Sequence, residues 1–168
     1  MLLRPAEPAD DAAVARVHVR SWQIAYRGLL PDAYLDALQP EDRAPHYQFG
    51  ERGPDRPLTT VAIERGEICG FATTGPSRDG DRADSGELYA LYVDPSSWGL
   101  GAGRALIGGA REQLISAGFK EAHLWVLDGN ARAERFYRRD GWVPDGLRRP
   151  EEHWGVVVHE LRYRRALA

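Results

Sequence analysis

The segment Asp94-Pro95-Ser96-Ser97-Trp98-Gly99-Leu100-Gly101-Ala102-Gly103-Arg104 carries the densest chemical signal in the chain. An apolar run from Glu87 to Val93 feeds it, and Leu106, Ile107, Ala110 and Leu114 follow at helical spacing. Glycine lets a backbone approach a ligand closely, and the first N–H groups of a helix have no internal partner. A glycine-rich loop opening a helix is therefore a site for a phosphate or pyrophosphate. Two common versions are excluded by the spelling. A Walker loop would need Gly-Lys-Ser/Thr where Gly103-Arg104-Ala105 stands. A dinucleotide fingerprint counted from Gly101 would need a third glycine at Leu106. A tight strand-to-helix turn without a ligand would use the same glycines.

A second constellation lies one strand later: Asn130-Ala131-Arg132-Ala133-Glu134-Arg135-Phe136-Tyr137, closing on Gly141-Trp142. Asparagine at a helix start commonly caps it. Phe136 and Tyr137 face inward, where aromatic side chains ordinarily pack. Taken alone the motif says little; next to the glycine loop it says more.

The elements that must position these residues follow from periodicity and punctuation. Leu2 to Arg4 is an edge strand. A helix opens after Pro8, Asp10 and Asp11, with Val14, Val17, Ser21 and Ala25 on one face and His18, Trp22 and Tyr26 on the next; Gly28 ends it. Pro31 opens a short helix holding Tyr34, Leu35 and Leu38, and Pro40 to Phe49 is a third helical piece. Strands are expected at Leu58–Glu64 and Ile68–Thr74, joined by a hairpin at Arg65-Gly66-Glu67. Gly75 to Gly86 is an exposed loop, and Glu87–Val93 a central strand covered on both faces. A helix to Gly118, a strand at Glu121–Leu127, a helix at Asn130–Asp140, a strand start at Trp142-Val143 and a last strand at Trp154–Tyr163 complete the chain. A meander that passes into a crossover requires a mixed sheet.

Composition narrows the class. The 168 residues, 43% hydrophobic, suit one domain over residues 1–168. With 18 glycines and 11 prolines the chain is below the ~25–30% that marks low complexity. Cys69 is the one cysteine, so no internal disulfide and no cysteine-rich zinc site is expected, and no metal is assigned. A net charge of −3 argues against a nucleic-acid partner, and no run approaches the ~20 apolar residues of a membrane span. The expectation is a soluble, cytoplasmic protein with no membrane partner. Lys120 is the one lysine among 22 basic residues; arginines near an anion site suit bidentate phosphate contacts.

Together, the two constellations resemble the GCN5-related N-acetyltransferase (GNAT) superfamily. Its acetyl-CoA signature, Gln/Arg-x-x-Gly-x-Gly/Ala after a central strand, is matched by Trp98-Gly99-Leu100-Gly101-Ala102-Gly103 with tryptophan at the first position. Asn130, Phe136-Tyr137 and Gly141-Trp142 match the family's second feature in order and spacing. The resemblance implies an α/β (α+β) fold. A central mixed, mostly antiparallel sheet of six or seven strands would contain a splayed parallel pair and be flanked by about four helices. It implies that the backbone of Leu91, Tyr92 and Val93 bonds the pantetheine of acetyl-CoA. Trp98, Gly99, Leu100, Gly101, Ala102, Gly103 and Arg104 would hold the pyrophosphate. Asn130, Ala133, Phe136 and Tyr137 would lie along the cofactor. Arg104, Arg132 and Arg138 are candidates for the ribose 3′-phosphate, and pairing as a homodimer is implied.

The implied reaction is acetyl transfer to a primary amine of a small molecule by direct attack, with base and acid assistance. An unperturbed amine of pKa ≈ 10.4 is neutral in only about one molecule in a thousand near pH 7.4, so a proton must be taken and the departing thiolate protonated. Glu87, eleven residues before Trp98, stands where one branch of the family has a glutamate base; a solvated strand end is the plain alternative. Tyr137 is the acid, with core packing as its alternative. An oxyanion-binding N–H near Val93 is implied by the family. His18, Trp22, Tyr26 and Tyr34, with Tyr89 and Trp154 opposite, are the acceptor wall, while His18 and Cys69 are expected to pack rather than to catalyse. A non-catalytic acyl-CoA sensor, or an enzyme acting on protein N-termini, would share the fold.

Overall fold

Alternating apolar residues and tight turns build one seven-stranded sheet. The computed structural model describes residues 1–167. Its strands are β1 (Leu2–Pro5), β2 (Leu58–Glu64), β3 (Glu67–Pro76), β4 (Gly86–Val93), β5 (Glu121–Leu127), β6 (Val143–His153) and β7 (Val156–Ala166). Its helices are α1 (Asp11–Ala25), α2 (Asp32–Ala37), α3 (Pro40–Arg43), α4 (Ala102–Ser116) and α5 (Ala131–Arg139). The strand order is β1-β2-β3-β4-β5-β7-β6. Every neighbouring pair is antiparallel except β4 and β5.

That parallel pair is short. Gly86, Glu87 and Leu88 pair with Ala122, His123 and Leu124, and no rung follows. Beyond Leu88, β4 stays with β3 as far as Val93, so the sheet opens between β4 and β5.

Side-chain alternation puts a helix on each face. Val61 and Phe71 pack against Val14 and Val17 of α1. Their neighbours Ala62 and Ala72 pack with Leu106, Ile107, Ala110 and Leu114 of α4 on the other face. Burying each large aliphatic side chain contributes ~1.5–3 kcal/mol. The β2–β3 hairpin turns on Arg65 and Gly66, at φ +52° and +84°. Left-handed residues at both central positions give the twist that flanking strands need.

The C-terminal strands differ from expectation. β6 runs the whole way from Val143 to His153, through Pro144, Gly146 and Pro150. Proline is tolerated there because β6 is the sheet edge and a register shift between Pro144 and Arg148 absorbs the distortion. Trp154 does not begin the last strand. With Gly155 it forms the β6–β7 turn, at φ +49° and +83°. The Pro40–Phe49 piece is also shorter than expected: α3 stops at Arg43, and a single 3-10 turn spans Ala44–His46. The five described helices, two of them the short pieces α2 and α3, are the helical segments expected.

Candidate active site

The glycine loop sits at the mouth of the split sheet. Gly101 caps α4 at φ +96° and supplies no capping side chain. A Cβ built on Gly99 or Gly101 would meet nothing within 4 Å, so the loop faces open space. The unpartnered N–H groups at this helix start therefore remain available to an anion. Gly103 serves packing instead: a Cβ there would stand 3.2 Å from Phe136.

The end of β4 presents backbone to the same opening. Asp94 N donates to Cys69 O on β3 (2.7 Å). Alternation along the strand then turns Val93 toward the split. The Val93 carbonyl is taken twice, by Ser21 Oγ (3.0 Å) and by Trp98 Nε1 (2.9 Å). A carbonyl has two lone pairs, so what Val93 has left for a ligand is its N–H, the group the oxyanion expectation requires. Trp98 thus replaces the family's usual Gln/Arg with an indole that pins the strand end. The Arg132 guanidinium lies 3.4 Å above its ring, and burial lowers the pKa of that arginine, with Arg135 adding to the effect.

Leu91, Tyr92, Val93, Trp98, Gly99, Gly101, Gly103, Arg104, Asn130, Ala133, Phe136 and Tyr137 all line one cavity of about 1070 Å³. Two expected residues do not. Leu100 is 61% exposed and Ala102 packs into the core against α4's neighbours. Asn130 caps α5, its Oδ1 accepting from Ala133 N at 3.2 Å, which leaves its Nδ2 as the group it can offer a ligand.

The same cavity continues onto the acceptor wall, where His18, Trp22, Tyr26, Tyr89 and Trp154 line it. Trp22 and Trp154 stack at 4.4 Å, and Trp22 meets Tyr26 edge-on at 4.9 Å. Tyr34 stands behind this wall: its hydroxyl donates to the His153 and Trp154 carbonyls, both at 3.1 Å, and holds the β6–β7 turn. The Tyr89 hydroxyl is committed to the Pro76 carbonyl. His18 is buried, stacks on Tyr92 at 4.6 Å and has its Nδ1 2.8 Å from Tyr47 Oη. Burial drives its pKa well below the usual value, with the Arg43 and His153 charges adding to this; it is neutral at pH 7. Cys69 is buried, as expected.

Tyr137 is 8% exposed. Burial, then the neighbouring Tyr92, raises its pKa above the usual phenol value, so it keeps its proton at neutral pH. Tyr26 is raised likewise, by burial first and then by Tyr92, Tyr137 and Glu160. Glu160 Oε2 lies 3.3 Å from His153 Nε2, and both residues line the cavity.

Glu87 is not a solvated strand end. It is 1% exposed. Arg78 gives it a guanidinium contact at 2.7 Å and a backbone N–H at 2.8 Å. His123 Nε2 stands 3.5 Å away, and 3.3 Å from Asp79. Burial alone would raise the Glu87 pKa; His123 and Arg78 outweigh it and bring the group down to about 2. Asp79, Glu87 and His123 bring ligand-type atoms within 4.8 Å of one another. Arginines already fill that cluster, since Asp79 also meets Arg149 (3.3 Å), Arg162 (3.1 Å) and the Trp125 indole N–H (3.0 Å). Sequence reasoning missed Arg43, His153 and Glu160, because none lies in a motif and β6 was not recognised as a strand.

A sheet split at its parallel pair, with an uncapped glycine-loop helix at the split, is the architecture of an acetyl-CoA-dependent transferase. The chain belongs to the acetyltransferase (GNAT) family, whose sequence model matches residues 19–142. It is 34% identical over 131 residues to the uncharacterized N-acetyltransferase YuaI of Bacillus subtilis, covering 76% of this chain and 72% of that protein. It is 35% identical over 142 residues to the mycothiol acetyltransferase of Amycolatopsis mediterranei, covering 80% of this chain but only 43% of that longer protein. Its fold matches the yncA structure from Salmonella typhimurium with its cofactor acetyl-CoA, at a TM-score of 0.72 and 20% identity over 100% of this chain and 94% of that one.

Proposed function

We propose that residues 1–168 form a single N-acetyltransferase domain that moves an acetyl group from acetyl-CoA to the primary amine of a small molecule by direct attack in a ternary complex. The observation that carries this is the continuity of one cavity, lined by Gly99, Gly101 and Gly103, by Tyr137, and by the aromatic wall of Trp22, Tyr26 and Trp154. The open glycine loop, the split beyond Leu88 and the free Val93 N–H fit acetyl-CoA. When bound, acetyl-CoA supplies an acetyl thioester whose thiolate is a good leaving group.

In this reading the loop N–H groups and Arg104 hold the pyrophosphate, and the Val93 N–H takes the developing negative charge. The Tyr137 hydroxyl holds the proton offered to the departing thiolate. With its pKa raised, full transfer to a thiolate of ordinary pKa ≈ 8.5 runs uphill, so its main contribution is a hydrogen bond. The amine proton goes to His153, with Glu160 behind it. Glu87, ionised and fully engaged, anchors the β3–β4 loop to the sheet and takes no proton; that loop is shorter than the Gly75–Gly86 expected, since Gly75 and Gly86 belong to the strands. The family resemblance also carries the expectation of a cytoplasmic homodimer. No helix among the described residues is long and apolar enough to cross a membrane, and light scattering on the purified protein tests the pairing.

The experiment is a panel of small amines with acetyl-CoA, read by thiol release and by mass of the product. Turnover of a small amine supports the proposal. Tight acetyl-CoA binding with no turnover of any amine or peptide N-terminus would leave the sensor reading in its place.

A further inference from the structure

The acceptor half of the cavity has a charge pattern of its own. Among its acids, Glu87 faces Arg78 (2.7 Å) and Glu51 faces Arg56 (2.7 Å), while Glu160 and Glu151 share Arg149 (3.3 and 3.5 Å). Arg43, at the end of α3, has no carboxylate partner among the described residues. Its guanidinium lies 4.3 Å over the Trp154 ring and 5.9 Å from Tyr47. Its Nε is buried and has no hydrogen-bond partner. A second orphan donor touches the same ring: Trp22, 4% exposed, stacks on Trp154 at 4.4 Å, and its Nε1 is buried without a partner.

A buried donor left unpaired costs about 1–3 kcal/mol, and more when charged. Two of them against one aromatic ring call for a ligand that brings its own acceptor oxygens. The guanidinium fork fits a planar oxyanion bidentately, and a carboxylate offers about four acceptor positions. Arg104, Arg132, Arg135 and Arg139 also line the cavity, but they stand on α4 and α5 at the glycine-loop end, where the phosphates of acetyl-CoA belong; Arg52 lines it from an exposed loop, with no aromatic ring among the described residues to hold it.

We infer that the acceptor is an amine that also carries a carboxylate, an amino acid or a close analogue with an apolar or aromatic body. Arg43 and the Trp22 indole bind the carboxylate, and the Trp22–Trp154 pair packs the body. This rests on the acetyltransferase reading and names its substrate class.

The test uses free amino acids with aromatic and aliphatic side chains, each paired with its amide and its decarboxylated amine. Thiol release from acetyl-CoA gives kcat and KM for wild type, Arg43→Gln and Arg43→Lys. The expected result is a kcat/KM for the acid at least tenfold above that for its amide, falling to within about threefold in Arg43→Gln and partly retained in Arg43→Lys. This is the scale of one lost charge-assisted hydrogen bond. The change should fall on the acceptor KM, with the acetyl-CoA KM unmoved. A wild type that acetylates amide and amine as well as the acid overturns the inference and leaves the acetyltransferase reading standing. So does an acid preference that survives Arg43→Gln. Calorimetry of the N-acetylated acid and its amide on the coenzyme A complex separates the two failures. An Arg43-dependent preference for the acid without any turnover would support the binding site while overturning the catalytic reading.

Discussion

Replacing Glu87 by glutamine separates an anchor from a base. The glutamine keeps the shape and removes the charge that Arg78 and His123 face. In the fold the Glu87 carboxyl titrates at about 2, against an ordinary 4.5, and that difference corresponds to about 3 kcal/mol of pH-linked stability. Arg78 is 56% exposed and can rehydrate when its partner is neutral, so the net cost is about 2–3 kcal/mol. For a chain of this length that is a fall in Tm of about 5–10 °C at pH 7. Because the folded pKa lies below the unfolded one, the stabilisation is complete above about pH 4.5. It is lost as pH falls toward 2. Melting curves of wild type and Glu87→Gln between pH 7 and pH 3 should therefore converge in acid. Turnover of the folded variant at pH 7 and 25 °C should stay within a few-fold of wild type. An unchanged Tm together with a fall in kcat of a hundredfold or more, the scale of a lost general base, would refute the argument and restore Glu87 as the proton acceptor.

Tyr137→Phe should lower kcat by about 10–100-fold, the worth of a hydrogen bond to a developing charge, with little change in Tm; wild-type turnover would return Tyr137 to core packing. His153→Gln should lower kcat by ~10²–10⁴ without altering acetyl-CoA affinity measured by calorimetry, and an unchanged pH–rate profile would exclude it as the base. Gly101→Val should cost ~1–2 kcal/mol of stability, because φ there is +96° and a β-branched residue is strained in that region. Acetyl-CoA affinity in the folded variant should fall much further than this, since the new side chain occupies the open face of the loop; full affinity would remove the pyrophosphate assignment.

The half of the cavity proposed for acetyl-CoA could be picked out because its chemistry is backbone chemistry written in contiguous sequence. β4, the glycine loop and the start of α4 follow one another, so the spacing of Gly99, Gly101 and Gly103 carries the geometry. Side-chain placement within the run was not legible: Ala102 is buried and Leu100 is exposed, so both can offer the loop's ligand only their backbone. The acceptor half is assembled from pieces that sequence does not join: Trp22 on α1, Arg43 on α3, and the turn at Trp154 between β6 and β7. β6 itself was hidden, since two prolines, a glycine and a run of charges look like a loop until edge position makes them tolerable. Glu87 was placed on the right strand, but its chemistry is set by Arg78 from the preceding loop and His123 from the parallel neighbour. A residue's identity is local and its proton affinity is not. The division has a physical consequence. Exchanging α3 and the β6–β7 turn would replace Arg43 and Trp154, which line the half of the cavity proposed for the acceptor, without touching a residue of the glycine loop. On the proposed assignment, acceptor choice and acetyl-CoA binding can therefore vary independently, with short, irregular segments carrying the choice.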